Sequence, residues 1–149
     1  MNATTPSEAV IRTWTGLVRV QARVLGAVEA ELKQAGLPPL AWYDVLRELQ
    51  RAPGGRLRPH EIERRLLLAQ PNVSRLIDRL EHAGLVQRCP CPEDGRGQHV
   101  AITKAGRALR RRMWPVYRAA IQRHLGARLE SERAAETLAA LLASLAEPP

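Results

Sequence analysis

Phenylalanine is absent from this sequence, and its 149 residues include only two cysteines. Cys89 and Cys91 stand two positions apart, too close to staple a fold of this size, so stability must come from Leu, Val, Ile and Ala packed with three tryptophans. No stretch approaches the roughly 18 uninterrupted apolar residues of a membrane span. The first residues carry neither the basic segment nor the apolar run of a secretory leader, and a cytoplasmic protein is predicted. Catalytic signatures are missing too. There is no glycine-rich phosphate loop, no G-x-S-x-G elbow, no H-E-x-x-H and no concentration of carboxylates able to serve as an acid and base pair. No enzyme activity and no cofactor are predicted.

What is present is the mix of a globular chain, 45% apolar and 26% charged, at a length that fits one compact unit. The formal charge of +8 is unevenly placed. Residues 51 to 112 hold 14 Arg or Lys against six acids and carry the whole excess, whereas the flanks hold nine of each and sum to zero. A charged surface typical of an arginine-rich composition would spread that excess evenly; a basic centre between neutral flanks points to a polyanionic partner.

Apolar periodicity sets the organisation. Val10, Trp14, Leu17, Val18, Val24, Leu25, Val28 and Leu32 recur at steps of three and four, as on a long amphipathic helix that Ser7 can cap and that Gly36 and Pro38-Pro39 stop. A second helix follows from Leu40 to about Gln50 and ends at Pro53-Gly54-Gly55. Arg56-Leu57-Arg58 can form a very short strand, and Pro59 opens a short third helix. Gln70-Pro71 opens a fourth, with Val73, Leu76, Ile77 and Leu80 facing the core and Asn72, Ser74, Arg75, Asp78, Arg79 and His82 on the opposite face. Beyond Gly84, Leu85 to Cys89 and Gln98 to Ile102 read as the strands of a hairpin turned at Glu93 to Gly97. Thr103 caps a long helical region that Pro115 should kink and Gly126 break, and Ser131 starts a last helix carrying Leu138, Leu141, Leu142 and Leu145.

Two short helices, a tight turn and a basic-tipped hairpin make a winged helix-turn-helix. The order Leu40-Ala41-Trp42-Tyr43-Asp44-Val45-Leu46, Leu57-Arg58-Pro59-His60-Glu61-Ile62, Val73 to Val86, Asp94-Gly95-Arg96-Gly97 and Ile102-Thr103-Lys104-Ala105-Gly106 resembles the MarR family of bacterial transcriptional regulators over nearly the whole chain. The fold class expected is mainly α: a winged helix-turn-helix lobe over 37–103 with a two-stranded β wing, flanked by dimerisation helices over 1–36 and 104–149. The resemblance implies a homodimer, with each subunit placing a recognition helix in the major groove of double-stranded DNA and a wing at the neighbouring minor groove. It implies a sequence-specific regulator, a ligand-responsive repressor on a pseudo-palindromic operator. The alternatives are a winged helix with a structural or replication role and a regulator sensing redox state or metal through wing thiols.

Side-chain chemistry assigns roles within that frame. Gln70 and Asn72 can make the paired bonds that read an adenine edge, and Arg75 can fork to guanine or clamp a phosphate. Ser74 and Arg79 sit where phosphate contacts would fix register, and Pro71 removes an amide that would otherwise be open to a phosphate. Arg96, between glycines, suits a narrow minor groove, with Asp94 bracing the turn or holding Arg75 or Arg96 in place, while Arg56 and Arg58 suit phosphates. Trp14, Trp42 and Tyr117, with Arg19 or Arg12, are candidates for the crevice in which the family binds small aromatic or anionic effectors. Cys89, Cys91 and His99 offer three ligands where a closed zinc site needs four, so no metal is assigned. His60 and His124 have no companion constellation.

Overall fold

The computed structural model describes residues 5–90 and 97–147. The elements are α1 (Glu8–Gln34), α2 (Leu40–Arg51), β1 (Arg56–Leu57), α3 (Pro59–Arg65), α4 (Val73–His82), β2 (Val86–Pro90), β3 (Gln98–Ile102), α5 (Lys104–His124) and α6 (Glu132–Ala146), with 3-10 turns at Pro53–Gly55 and Gly126–Arg128. They form two compact units, one spanning 32–116 and the other combining 1–31 with 117–149. Among the described residues no helix is long and apolar enough to cross a membrane.

Helix ends follow local chemistry. The side-chain oxygens of Ser7, Asn72 and Ser131 accept the N–H groups of Val10, Arg75 and Ala134 at 3.3, 3.0 and 3.1 Å, each supplying a donor of an opening helical turn with its partner. At the start of α3 the Glu61 carboxylate accepts the Arg58 N–H at 2.8 Å while the Glu61 N–H donates to the Arg58 carbonyl at 3.0 Å, and Pro59 occupies the first helical position, where no amide is needed. One sequence boundary moves. α4 starts at Val73 and not at Gln70-Pro71, because Asn72 takes the cap position and leaves Pro71 outside the helix.

The 32–116 unit packs Leu46 and Leu49 of α2, Ile62 of α3, Leu76, Ile77 and Leu80 of α4, Val86 and Val100 of the strands and Met113 of α5 into one core. Its sheet has the order β1-β3-β2, antiparallel throughout, with Arg56 opposite Ala101, Leu57 opposite Val100, and Arg88 opposite Val100 on the other side. The expected two-stranded wing is therefore part of a three-stranded sheet. The third strand exists because Leu57 is buried, and pairing with β3 gives the adjoining backbone groups their hydrogen bonds.

Two polar joints hold the elements in register. Asp44, buried on α2, accepts the N–H groups of Leu68, at 2.9 Å, and of Leu67, tying α2 to the turn between α3 and α4; burial pushes its pKa up and the two amides pull it back. Thr103 Oγ1 donates to the Gly84 carbonyl at 2.7 Å and accepts the Gly106 N–H at 3.1 Å, so one hydroxyl links the exit of α4 to the start of α5. Gly106 is there for space. A Cβ at that position would run into the Leu85 carbonyl oxygen and lie 2.9 Å from Ile102 Cγ1.

In the other unit, Glu31 of α1 accepts Arg123 Nη1 at 2.6 Å and its second oxygen lies 2.6 Å from His124 Nε2, while Arg23 donates to the His124 carbonyl at 2.9 Å. His124 thus has partners that linear spacing does not reveal, since Glu31 is 93 positions away. α5 contains Pro115 and continues as one helix to His124. Apolar side chains on the first half of α1 and on α6 lie open: Trp14 is 68% exposed and Leu145 67%.

Gly106→Ala should cost about 1 to 3 kcal/mol, the usual range for forcing atoms into a packed site, because backbone and not a flexible side-chain end blocks the new Cβ. Urea denaturation of the two proteins measures it, and equal midpoints would contradict the close approach. Acid should also destabilise the fold. Glu31, Glu61 and Glu81 are held below the ordinary glutamate value of 4.5 by hydrogen bonds from Arg123 and His124, from the Arg58 amide, and from the Arg88 amide and guanidinium respectively. A carboxylate with a depressed folded pKa contributes stability present above its unfolded value and lost as pH falls through the folded one. Asp44, shifted upward, acts in the opposite sense and offsets part of the loss. Melting temperature should therefore fall as pH drops below 4.5, and less steeply in Glu31→Gln; thermal melts across that range test both.

Candidate nucleic-acid interface

The helix-turn-helix is α3, the turn at 66–72 and α4. Val73, Leu76, Ile77 and Leu80 recur at helical spacing and are buried, which leaves Ser74, Arg75, Asp78, Arg79 and His82 exposed on the other side. Arg75 and Arg79 are one turn apart on that outward face. Arg56 is exposed on β1. Arg58 is half-buried where β1 leads into α3, beside an open groove of about 550 Å³ that it lines with Pro59, His60, Gly97 and Gln98.

The two amide side chains considered for adenine are already engaged. Gln70 lies in the turn, half-buried, with Nε2 donating to the Leu68 carbonyl at 3.3 Å. Asn72 caps α4, so its orientation is set by the Arg75 amide and not by a base edge. Pro71 is exposed just before that cap. Asp94 and Arg96 lie outside the described residues, as does Cys91. Cys89 stands opposite His99 and its Sγ donates to the His99 carbonyl at 3.7 Å; no group of three potential metal ligands occurs among the described residues.

The effector-crevice candidates fall in both units. Trp14 and Arg19 are exposed on α1 and Tyr117 is half-buried on α5, while Arg12 lies 3.9 Å from Glu8. Trp42, on α2, lines an open groove of about 530 Å³ with Asp78, Arg79, His82 and Ala83. Tyr43, next to Trp42 on α2, is stacked on Trp114 at 6.2 Å and 18° with the Arg110 guanidinium 5.5 Å from its ring centre. The i,i+4 spacing of Arg110 and Trp114 places both on one face of α5 and was the available signal.

Arg88 has a role that its place in the sequence does not show. It adds to the basic count, yet its guanidinium lies 2.7 Å from Asp78 Oδ1 and 3.0 Å from Glu81 Oε1 on α4, and its backbone N–H donates to Glu81 Oε2 at 2.9 Å. The positive surface is therefore carried by other arginines.

A helix-turn-helix whose second helix turns arginines outward, backed by an antiparallel sheet with a hairpin, defines a winged helix-turn-helix protein. Residues 35–97 match the family model for the MarR family. No curated protein sequence matches significantly. Among solved structures, the chain is similar to Sco3205, a MarR family transcriptional regulator from Streptomyces coelicolor in complex with DNA (24% identity, TM-score 0.86, covering 99% of this chain and 92% of that one). It is similar to BpsR of Bordetella bronchiseptica, whose DNA binding is regulated by 6-hydroxynicotinic acid (21% identity, TM-score 0.82, 97% and 100%). It is also similar to the transcriptional repressor CouR bound to a 23-mer DNA duplex (28% identity, TM-score 0.74, 89% and 90%). Residues 35–97 thus resemble the MarR family of transcriptional regulators, and the fold of the chain is the one seen in these solved regulators.

Asn72→Ala should lower stability by about 1 kcal/mol, the typical loss for an N-cap replaced by alanine. Denaturant unfolding measures it; an unchanged midpoint would mean that the Asn72 to Arg75 bond does not hold the start of α4 in solution.

Proposed function

We propose that the protein is a ligand-responsive repressor that binds a pseudo-palindromic operator as a homodimer. The observation that carries this reading is the division of α4: a buried apolar face fixes the helix, and Ser74, Arg75 and Arg79 stand on the face left outward at its start and middle. In the major groove Arg75 forks to a guanine edge or clamps a phosphate, while Ser74 and Arg79 hold phosphates and set register. Asn72 and Gln70 each have one end of the amide held by an internal hydrogen bond, so a paired contact to an adenine edge needs that end to be shared or exchanged. Arg56 and Arg58 hold phosphates beside the sheet, and Arg96, assigned from its glycine-flanked position in the sequence, enters the minor groove.

Dimerisation accounts for the uncovered apolar side chains of α1 and α6, which a second copy of the chain would bury over regions 1–36 and 104–149. The effector reading draws on the family resemblance and on similarity to BpsR, whose DNA binding responds to a small aromatic acid. An anionic aromatic compound is the class proposed here. The replication or structural alternative requires no symmetric site.

Footprinting on DNA should show a protected pseudo-palindrome with half-sites roughly 10 base pairs apart, and mass measurement should show two chains. Raising salt from about 50 to about 200 mM should weaken binding on the order of a hundredfold or more, because several arginines displace counterions from phosphates. A flat salt dependence, or protection without two-fold symmetry, would overturn the reading.

A further inference from the structure

Asp78 presents a puzzle. It is an acid, 61% exposed, on the same outward face of α4 as Arg75 and Arg79, where a polyanion would be repelled. Its partner explains its position. Arg88 reaches from β2 to place Nη2 2.7 Å from Asp78 and Nη1 3.0 Å from Glu81, three residues further along α4, and the Arg88 N–H donates to the second Glu81 oxygen at 2.9 Å. One guanidinium thus forks across a turn of helix while the strand backbone adds a third bond. The Arg88 side chain is only 22% exposed, and its strand is paired through Val100 to β3. A lone exposed ion pair contributes little to stability, but a forked contact reinforced by a backbone bond restricts geometry.

We propose that Arg88, Asp78 and Glu81 form a brace that sets the angle of α4 against the wing sheet, making Asp78 and Arg88 positioning residues for operator discrimination that do not themselves touch DNA. The proposal rests on α4 being the helix that reads DNA. The lever is short but sufficient. A helix of ten residues is about 15 Å long, so a tilt of about 10° moves one end by roughly 2.5 Å, enough to break a base-edge hydrogen bond. Contacts to phosphates, which tolerate several geometries on long arginine side chains, survive such a tilt better. Loss of the brace therefore lowers discrimination more than it lowers general affinity. Removing a negative charge from the DNA-facing side should weaken specific binding, the reverse of what electrostatics alone predicts.

The test uses the full chain and two probes: the duplex most enriched by wild-type protein from a random-sequence pool, and an unrelated duplex of equal length. Asp78→Ala substitutes the best helix former, and Arg88→Met keeps an apolar stem; a cooperative thermal melt above the assay temperature confirms that each variant is folded. Both single variants should bind the enriched duplex about tenfold or more weaker, a loss comparable to one base contact, while the unrelated duplex is bound as tightly as by wild type or more tightly. The double variant should be no weaker than Arg88→Met alone, because Arg88→Met already removes the contact that Asp78→Ala removes. Asp78→Ala binding the enriched duplex as well as wild type overturns the brace, as does an Arg88→Met salt slope lower by about one on both duplexes, the mark of a phosphate contact. Failure of wild type to enrich any sequence would instead overturn the operator reading on which the brace depends.

Discussion

Everything α4 shows to the outside depends on what it buries. Ile77 and Leu80 are fully enclosed and Leu76 nearly so, and burying side chains of this size contributes about 1.5 to 3 kcal/mol each, far more than any one of the exposed polar contacts. Rotating α4 about its axis to present another face would bring those leucines and the isoleucine to water and drive arginines into the core. The arrangement of Ser74, Arg75, Asp78 and Arg79 is thus a consequence of hydrophobic packing, and the surface chemistry is carried on a helix that has one way to sit.

Packing fixes the face, and polar joints fix the ends. Asp44 accepts amide hydrogens from the turn that precedes α4, and Thr103 bonds the Gly84 carbonyl that follows it. Each is a buried or half-buried oxygen whose removal would strand backbone groups, an expensive outcome away from water. The Gly106 contact completes the second joint by letting α5 start against the Leu85 carbonyl. The two ends of α4 and the start of α5 are therefore tied together within the 32–116 unit.

The charge balance has the same two-level character. An excess of +8 describes the chain, but its disposition divides into arginines used internally and arginines turned outward. Arg88 is spent on Asp78 and Glu81, and Arg110 lies against Tyr43. Arg56, Arg75 and Arg79 remain exposed. Net charge attracts a polyanion from a distance, whereas register and discrimination depend on which guanidiniums are held and where.

Much of this was legible in one dimension, because helices and their caps are local. The spacing of Val73, Leu76, Ile77 and Leu80, the stops at Gly36 and Gly84, the cap at Ser131 and the order of motifs that marks the MarR family all lie within a few residues of the atoms they govern. The start of α4 was misplaced by two or three positions because Pro71 and Asn72 both suit a helix opening, and only the cap bond to Arg75 selects between them. Strand β1 needed its partner across 44 or so intervening residues, and the sequence could offer it only as a possibility. The roles of Asp44, Arg88 and His124 were out of reach for the same reason. A carboxylate, a guanidinium or an imidazole has the same local signature in solvent, in an ion pair or under a buried turn. By itself the sequence determined the helices, their inward faces and the class of protein, since these follow from periodicity and short-range stereochemistry; the tertiary structure alone decided which charged groups face outward and which hold the fold, because that depends on partners brought together from distant parts of the chain.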